Sequence, residues 1–182
     1  MTAESGILTS LRRFIRDVRG VSAIEFALIL PVMVTLYLGG VELSNMAIVH
    51  RKAVQVASTA ADLVAQDTQI SNAEMADIFT ALNAILAPFD PSRATIRITS
   101  LTADSSNIAR VDWSDAVGTS VRGTGSTVTL PTGLITSGLS VVMAEVTYSY
   151  EADYGIFTSE PSVITETFYL KPRRVLKVDR IP

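Results

Sequence analysis

From Val21 to Val41 the chain reads VSAIEFALILPVMVTLYLGGV, and this run limits what the chain can fold into more than any other stretch. At about 1.5 Å per residue it makes roughly 31 Å of helix, enough to cross the hydrocarbon core of a bilayer. Arg12, Arg13, Arg16 and Arg19 stand just before it, against Glu4 and Asp17. Glu42 follows it directly, and Arg51 and Lys52 lie farther on. The positive-inside rule then places the N-terminus in the cytoplasm and the rest of the chain outside it. Two other readings stand beside the span. A buried core helix is disfavoured by the near absence of polar groups over Phe26–Leu30 and Val32–Val41. A secretory signal peptide would be cut at small residues after the run, and Ser44-Asn45-Met46-Ala47 is a poor site of that kind. Within the run Tyr37 suits the far interface, Pro31 removes one backbone hydrogen bond, and Gly39 and Gly40 add a second soft point.

The remaining composition follows from that segment. A chain of 182 residues suits one modest domain plus an appendage. It is 48% hydrophobic but only 7% aromatic, so the apolar surplus is aliphatic and small, as a span requires. Cysteine is absent, which excludes a disulfide framework, a thiolate metal site and a thiol nucleophile. From Lys52 to Leu170 acids outnumber bases, whereas both ends are basic. An acidic body argues against nucleic acid as a partner.

Glu25 stands out because it lies at the start of the apolar run. A charge near the centre of a membrane helix costs on the order of 3 kcal/mol on insertion scales, and less near an interface. One reading leaves it at headgroup level, where its charge suits the helix N-terminus. The other gives it a partner. Arg19-Gly20-Val21-Ser22-Ala23-Ile24-Glu25-Phe26 resembles the processing site of type IV pilin-like proteins, with a basic leader ending in Gly and a Glu at the fifth mature position. The longer stretch RGVSAIEFALILPVMVTLYLGGVEL resembles the TadE-like family, minor pilins or pseudopilins of the tight-adherence (Tad) pilus system. The family pattern is R-G-x-x-A-[IV]-E-F-A-L-x-L-P, then an apolar stretch and an acidic residue. The ending Tyr169-Leu170-Lys171-Pro172-Arg173 is similar to the family's terminal Y-x-R-P-R, with Lys171 in place of Arg.

This resemblance implies a pathway. A prepilin peptidase removes residues 1–20 by cutting between Gly20 and Val21, glycine permitting close backbone approach. Residues 21–42 remain as the transmembrane and assembly helix, with Glu25, Phe26 and Pro31 as its marked positions. Residues 43–182 form a pilin-like domain in the periplasm, with the span in the bacterial inner membrane. In a filament Glu25 faces the freed amine of Val21 on a neighbour, setting register more than stability, since desolvation offsets much of the attraction. The implied partners are the peptidase, other minor pilins, the major pilin, the Tad inner-membrane assembly platform and membrane lipid. The implied role is to initiate or cap a pilus, hence adhesion.

Beyond the span the residues predict an α+β domain. Leu43–Gln66 continues the helix, with Met46, Ala53, Val54, Ala57, Ala61 and Val64 near one face. A second helix runs from about Asn72 to Ala87, capped by Ser71 or Asn72 and stopped by Pro88, with Ile78, Phe79, Leu82, Ile85 and Leu86 as its stripe. Strand signals follow at Ala94–Leu101, Ile108–Trp113, Ser140–Tyr150 and Ser162–Leu170, with a Gly/Ser/Thr-rich loop over Gly118–Thr127. The expectation is an antiparallel sheet of about four strands, its last two paired across Glu151–Pro161.

Catalytic chemistry has little to build on. One histidine, His50, and no cysteine give poor support for a catalytic dyad or a zinc site. Asp112-x-x-Asp115 lacks the Gly and distal Glu of a calcium loop, and Gly123-Thr124-Gly125 lacks the Lys of a phosphate loop. Trp113, Tyr148, Tyr150, Tyr154 and Tyr169 read as core or sheet-face residues. The basic tail Lys171–Arg180 has two readings, contact with anionic lipid or an acidic neighbour, or a solvated end. The expectation is a structural protein without cofactor, metal or catalytic residues. An uncleaved signal-anchored envelope protein with a periplasmic protein-binding domain is the alternative, and an envelope enzyme is a third.

Overall fold

One helix, α1 (Arg19–Gln66), runs unbroken for 48 residues through the apolar run and on into the domain. The computed structural model describes residues 19–156 and 160–182. Pro31 lies inside α1, and the Thr35 hydroxyl donates to the Pro31 carbonyl at 2.8 Å. The helix continues because no other proline interrupts it and the residues after Val41 are mostly good helix formers.

After α1 come β1 (Gln69–Ile70), α2 (Asn72–Ile85), β2 (Ala94–Ala103), β3 (Ala109–Val117), β4 (Thr127–Val128), β5 (Ser140–Tyr150), β6 (Ser162–Leu170) and β7 (Asp179–Arg180). The α+β class is as the sequence predicts. Ser71 caps α2 in a reciprocal capping box with Glu74, so two otherwise unpaired amides are satisfied. The helix ends at Ile85, two residues before the predicted stop. Five strands form one antiparallel sheet in the order β4-β3-β2-β5-β6. Four of them are the predicted strands; the fifth, β4, is a two-residue edge at the end of the Gly/Ser/Thr-rich loop.

The sheet carries apolar clusters on both faces. On the first, α1 and α2 cover Ala94, Ile96, Ile98, Trp113, Val142, Ala144, Val146 and Tyr148. On the second, Leu101, Ala109, Val111, Val141 and Met143 lie under Val128, Leu130, Leu134, Ile135 and Tyr169. A bulge explains why Val111 and Trp113, two residues apart, join different clusters. Ser100 pairs with Trp113 but Leu101 pairs with Val111, which leaves Asp112 as an extra residue and turns the strand over.

The buried face of α1 differs in part from the predicted one. Ala53, Ala57, Ala61 and Val64 are buried with Val49, Val56, Ala60 and Ala65, but Met46 and Val54 are exposed. Alanine is nearly as compatible with one side of the helix as another, so apolar spacing alone marks the face weakly. The same alanines let the helix lie close on the sheet.

The basic tail is held by the domain at Arg173, Val178 and Arg180, and much of the rest of it is exposed. The Arg173 amide donates to the Ala65 carbonyl at 2.9 Å, and its guanidinium pairs with Asp62. Val178 is fully buried, and its carbonyl accepts from the Trp113 indole at 2.8 Å. β7 pairs in parallel with β1. Arg180 meets Asp115 at 2.9 Å and the Ile70 carbonyl at 3.1 Å. Arg173, Lys177 and Arg180 thus meet carboxylates of their own domain, while Lys171 and Arg174 are exposed.

Arg122, from the loop between β3 and β4, meets Glu145 of β5 at 2.8 Å, and Arg97 of β2 meets it at the same distance. Partial burial pushes the Glu145 carboxyl up, but the hydrogen bonds and charges of the two guanidiniums outweigh it and hold it below the ordinary range. A depressed carboxyl stabilises the fold above its unfolded value, about 4.3, and the contribution is lost as pH falls through the folded value. Glu145→Gln is therefore expected to cost about 1.5–3 kcal/mol near neutral pH, with the deficit shrinking in acid. Urea unfolding in micelles, followed by Trp113 emission across pH, checks this.

Candidate membrane and assembly segment

The first half of α1 is bare. Val21, Ile24, Phe26, Leu28 and Ile29 are all more than half exposed or close to it, and so are Val32, Met33, Leu36 and Tyr37. None of the most apolar window of the helix is buried inside the rest of the protein. A core helix of a soluble domain would be buried there, so the single long apolar helix fits a single-pass membrane protein.

Glu25 is exposed at the beginning of this surface, and no hydrogen bond or ion pair to it occurs among the described residues. Val21 lies four residues earlier, one turn away on the same side. Gly20 sits in the first turn with open space where a side chain would project. Phe26 is 60% exposed, and Pro31 is exposed as well. Thus Gly20, Val21, Glu25, Phe26 and Pro31 share one uncovered stretch of helix, separate from the folded domain. Arg12, Arg13 and Arg16 lie outside the described residues, and of Arg19 only the backbone is described.

The change from bare to covered helix occurs over Leu38–Glu42. Leu38 is half-buried, Gly39 is buried, and Glu42 is only 4% exposed. One Glu42 carboxylate oxygen accepts from the Ile156 amide at 3.0 Å, and the Tyr150 hydroxyl donates to the Glu42 carbonyl at 3.4 Å. The other carboxylate oxygen is buried and has no hydrogen-bond partner among the described residues. Burial pushes the Tyr150 phenol up, which keeps it a neutral donor. The position of Glu42 after the apolar run was visible in the sequence. Its cover comes from residues more than a hundred positions later, and no local signal announces it.

The other candidates are absorbed by the fold. His50 Nδ1 lies 3.3 Å from Glu166 and braces α1 against β6. Asp112 accepts from the Thr102 hydroxyl at 2.6 Å, and Asp115 pairs with Arg180. Gly125 forms a turn against β3, its amide donating to the Val111 carbonyl at 2.8 Å with φ of 78°. Trp113, Tyr148 and Tyr150 are buried, Tyr169 is half-buried, and Tyr154 is 51% exposed.

Residues 20–62 match the family model of the TadE-like proteins. The match covers the bare helix, the Leu38–Glu42 boundary and most of the buried half of α1. No curated protein and no solved structure matches the chain.

An exposed acid at the edge of a span opposes insertion more the deeper it lies. Glu25→Ala is expected to raise the inserted fraction of α1 in a translocon assay, by up to about 3 kcal/mol in apparent insertion energy. An unchanged fraction would place Glu25 wholly in water.

Proposed function

We propose that this chain is a minor pilin, or pseudopilin, of a Tad-type pilus that helps initiate or cap the filament. One observation carries the reading. The TadE-like segment is a continuous helix whose first half is bare, with Glu25 exposed at the fifth position after Gly20, while its second half is locked into a domain. A part with one uncovered apolar helix and one folded head is built to exchange lipid contacts for contacts with neighbouring helices.

In this reading the leader stays in the cytoplasm with its arginines, and the domain lies in the periplasm beyond the inner membrane. A prepilin peptidase cuts between Gly20 and Val21. Gly20 is helical in the structure, so its turn must unwind for attack. Glycine eases this, being about 1 kcal/mol poorer than alanine in a helix. Cleavage frees the Val21 amine. Opposite charges at low dielectric then pair Glu25 with the Val21 amine of an adjacent pilin, and the pairing sets helix register. The partners are other minor pilins, the major pilin and the inner-membrane assembly platform. The role is structural, with adhesion as its consequence, and needs no catalytic group.

Two variants separate the steps. Gly20→Arg is expected to leave a full-length precursor on a gel, because a long side chain blocks approach of the peptidase; normal processing would remove the cleavage assignment. Glu25→Ala is expected to be made, cut and folded normally but to fail in piliation and in co-purification with partner pilins. Pili and complexes formed as in the parent would sink the assembly role.

A further inference from the structure

The bare part of α1 runs from Gly20 to Tyr37, about 27 Å of helix, slightly less than the roughly 30 Å of a hydrocarbon core. A bilayer that this helix spans must therefore reach the level where the domain begins to cover it, at Leu38 and Gly39. The two acids of the segment sharpen the point. Seventeen residues separate Glu25 from Glu42, about 25 Å along the axis, which is also short of the core thickness. An upright helix cannot keep both carboxylates clear of hydrocarbon. Glu25 is uncovered, so its charge holds that end at an interface. Glu42, 4% exposed, is the one that protein shields.

The shield is the connection after β5. Ile156 donates to the Glu42 carboxylate, and Tyr150 donates to the Glu42 carbonyl. The connection therefore lies beside α1 at the level where lipid ends. It carries Tyr154, which is 51% exposed, and an amphipathic ring is at its most favourable in the headgroup layer. Tyr37, 72% exposed, lies on α1 about 7 Å below Glu42, on the hydrocarbon side of that level. Glu151 and Asp153 give the connection acidic character, with Arg93 paired to Glu151 at 2.7 Å. Anionic lipid is disfavoured next to it, and zwitterionic lipid fits.

We propose that the connection from Glu151 to Ile156 is a foot that rests on the headgroup layer of zwitterionic lipid beside α1. Tyr154 is its anchor, and the bond between Glu42 and the Ile156 amide is its latch. The foot limits how far α1 can sink and screens the Glu42 carboxylate from hydrocarbon with protein. It rests on the reading of α1 as a span.

The test uses the full chain in zwitterionic vesicles with Tyr154→Trp. The native Trp113 is buried and serves as an internal reference for folding. Lipids brominated near the headgroup should remove most of the emission added at position 154, and lipids brominated deep in the chains should not. Glu42→Ala in this background should weaken that quenching with Trp113 emission unchanged. Glu42→Gln keeps an acceptor for the Ile156 amide and should retain it. Emission at 154 that aqueous iodide removes and neither brominated lipid affects would overturn the foot. Protection from both, rising with the protein-to-lipid ratio, would place Tyr154 against another subunit and overturn it too. Alkaline extraction separates the two levels of failure. Release of the chain from the vesicles would defeat the span itself, whereas retention without bromine quenching would defeat only the foot.

Discussion

One helix is asked to satisfy two solvents, and the rest of the structure follows from how it does so. The first half of α1 keeps its apolar side chains bare, which is stable only where lipid or other helices replace water. The second half presents alanines and valines to the sheet, with Val49, Ala53, Val56, Ala60 and Val64 fully buried. Removing the buried half would strip the sheet of its principal cover, since α2 faces only part of it.

The point of change is Leu38–Glu42, and the contacts there are polar. A bare carboxylate is costly in hydrocarbon, and so is an unpaired amide. The Ile156 amide is paired with one oxygen of the Glu42 carboxylate at this point, while the other oxygen stays buried without a partner among the described residues. Glu25 has no such shelter, and no partner within its own subunit occurs among the described residues. Two glutamates on one helix thus have different surroundings, one covered by protein and the other bare.

The features readable in the sequence were those set by near neighbours. The span is visible because an apolar run of that length has few other uses. Ser71 and Glu74 announce the α2 start through a local hydrogen-bond exchange, and the alternation from Ser140 to Tyr150 marks a central strand. What stayed hidden depends on distant chain. Met46 and Val54 look like core residues by spacing, yet the sheet meets α1 on another side. The tail looks like a free basic end until Trp113 and Asp115, far earlier in the chain, are placed against Val178 and Arg180. The bulge at Asp112 reverses a strand face without any glycine or proline to mark it. In the candidate segment, the exposure of Glu25 follows from its place at the start of the apolar run, whereas the cover over Glu42 required the fold.

The central claim is that α1 from Val21 onward is kept as a shared element of membrane and domain once the leader is gone. Mass determination of the N-terminus of the mature protein, taken from membranes, tests it most directly. The account predicts a chain beginning at Val21, with the bare half of α1 retained from that residue on. A chain beginning near Ala47 would mean that the apolar segment is discarded as a signal peptide. One beginning at Met1 or Thr2 would mean that it is an uncut anchor, and either result would contradict the account.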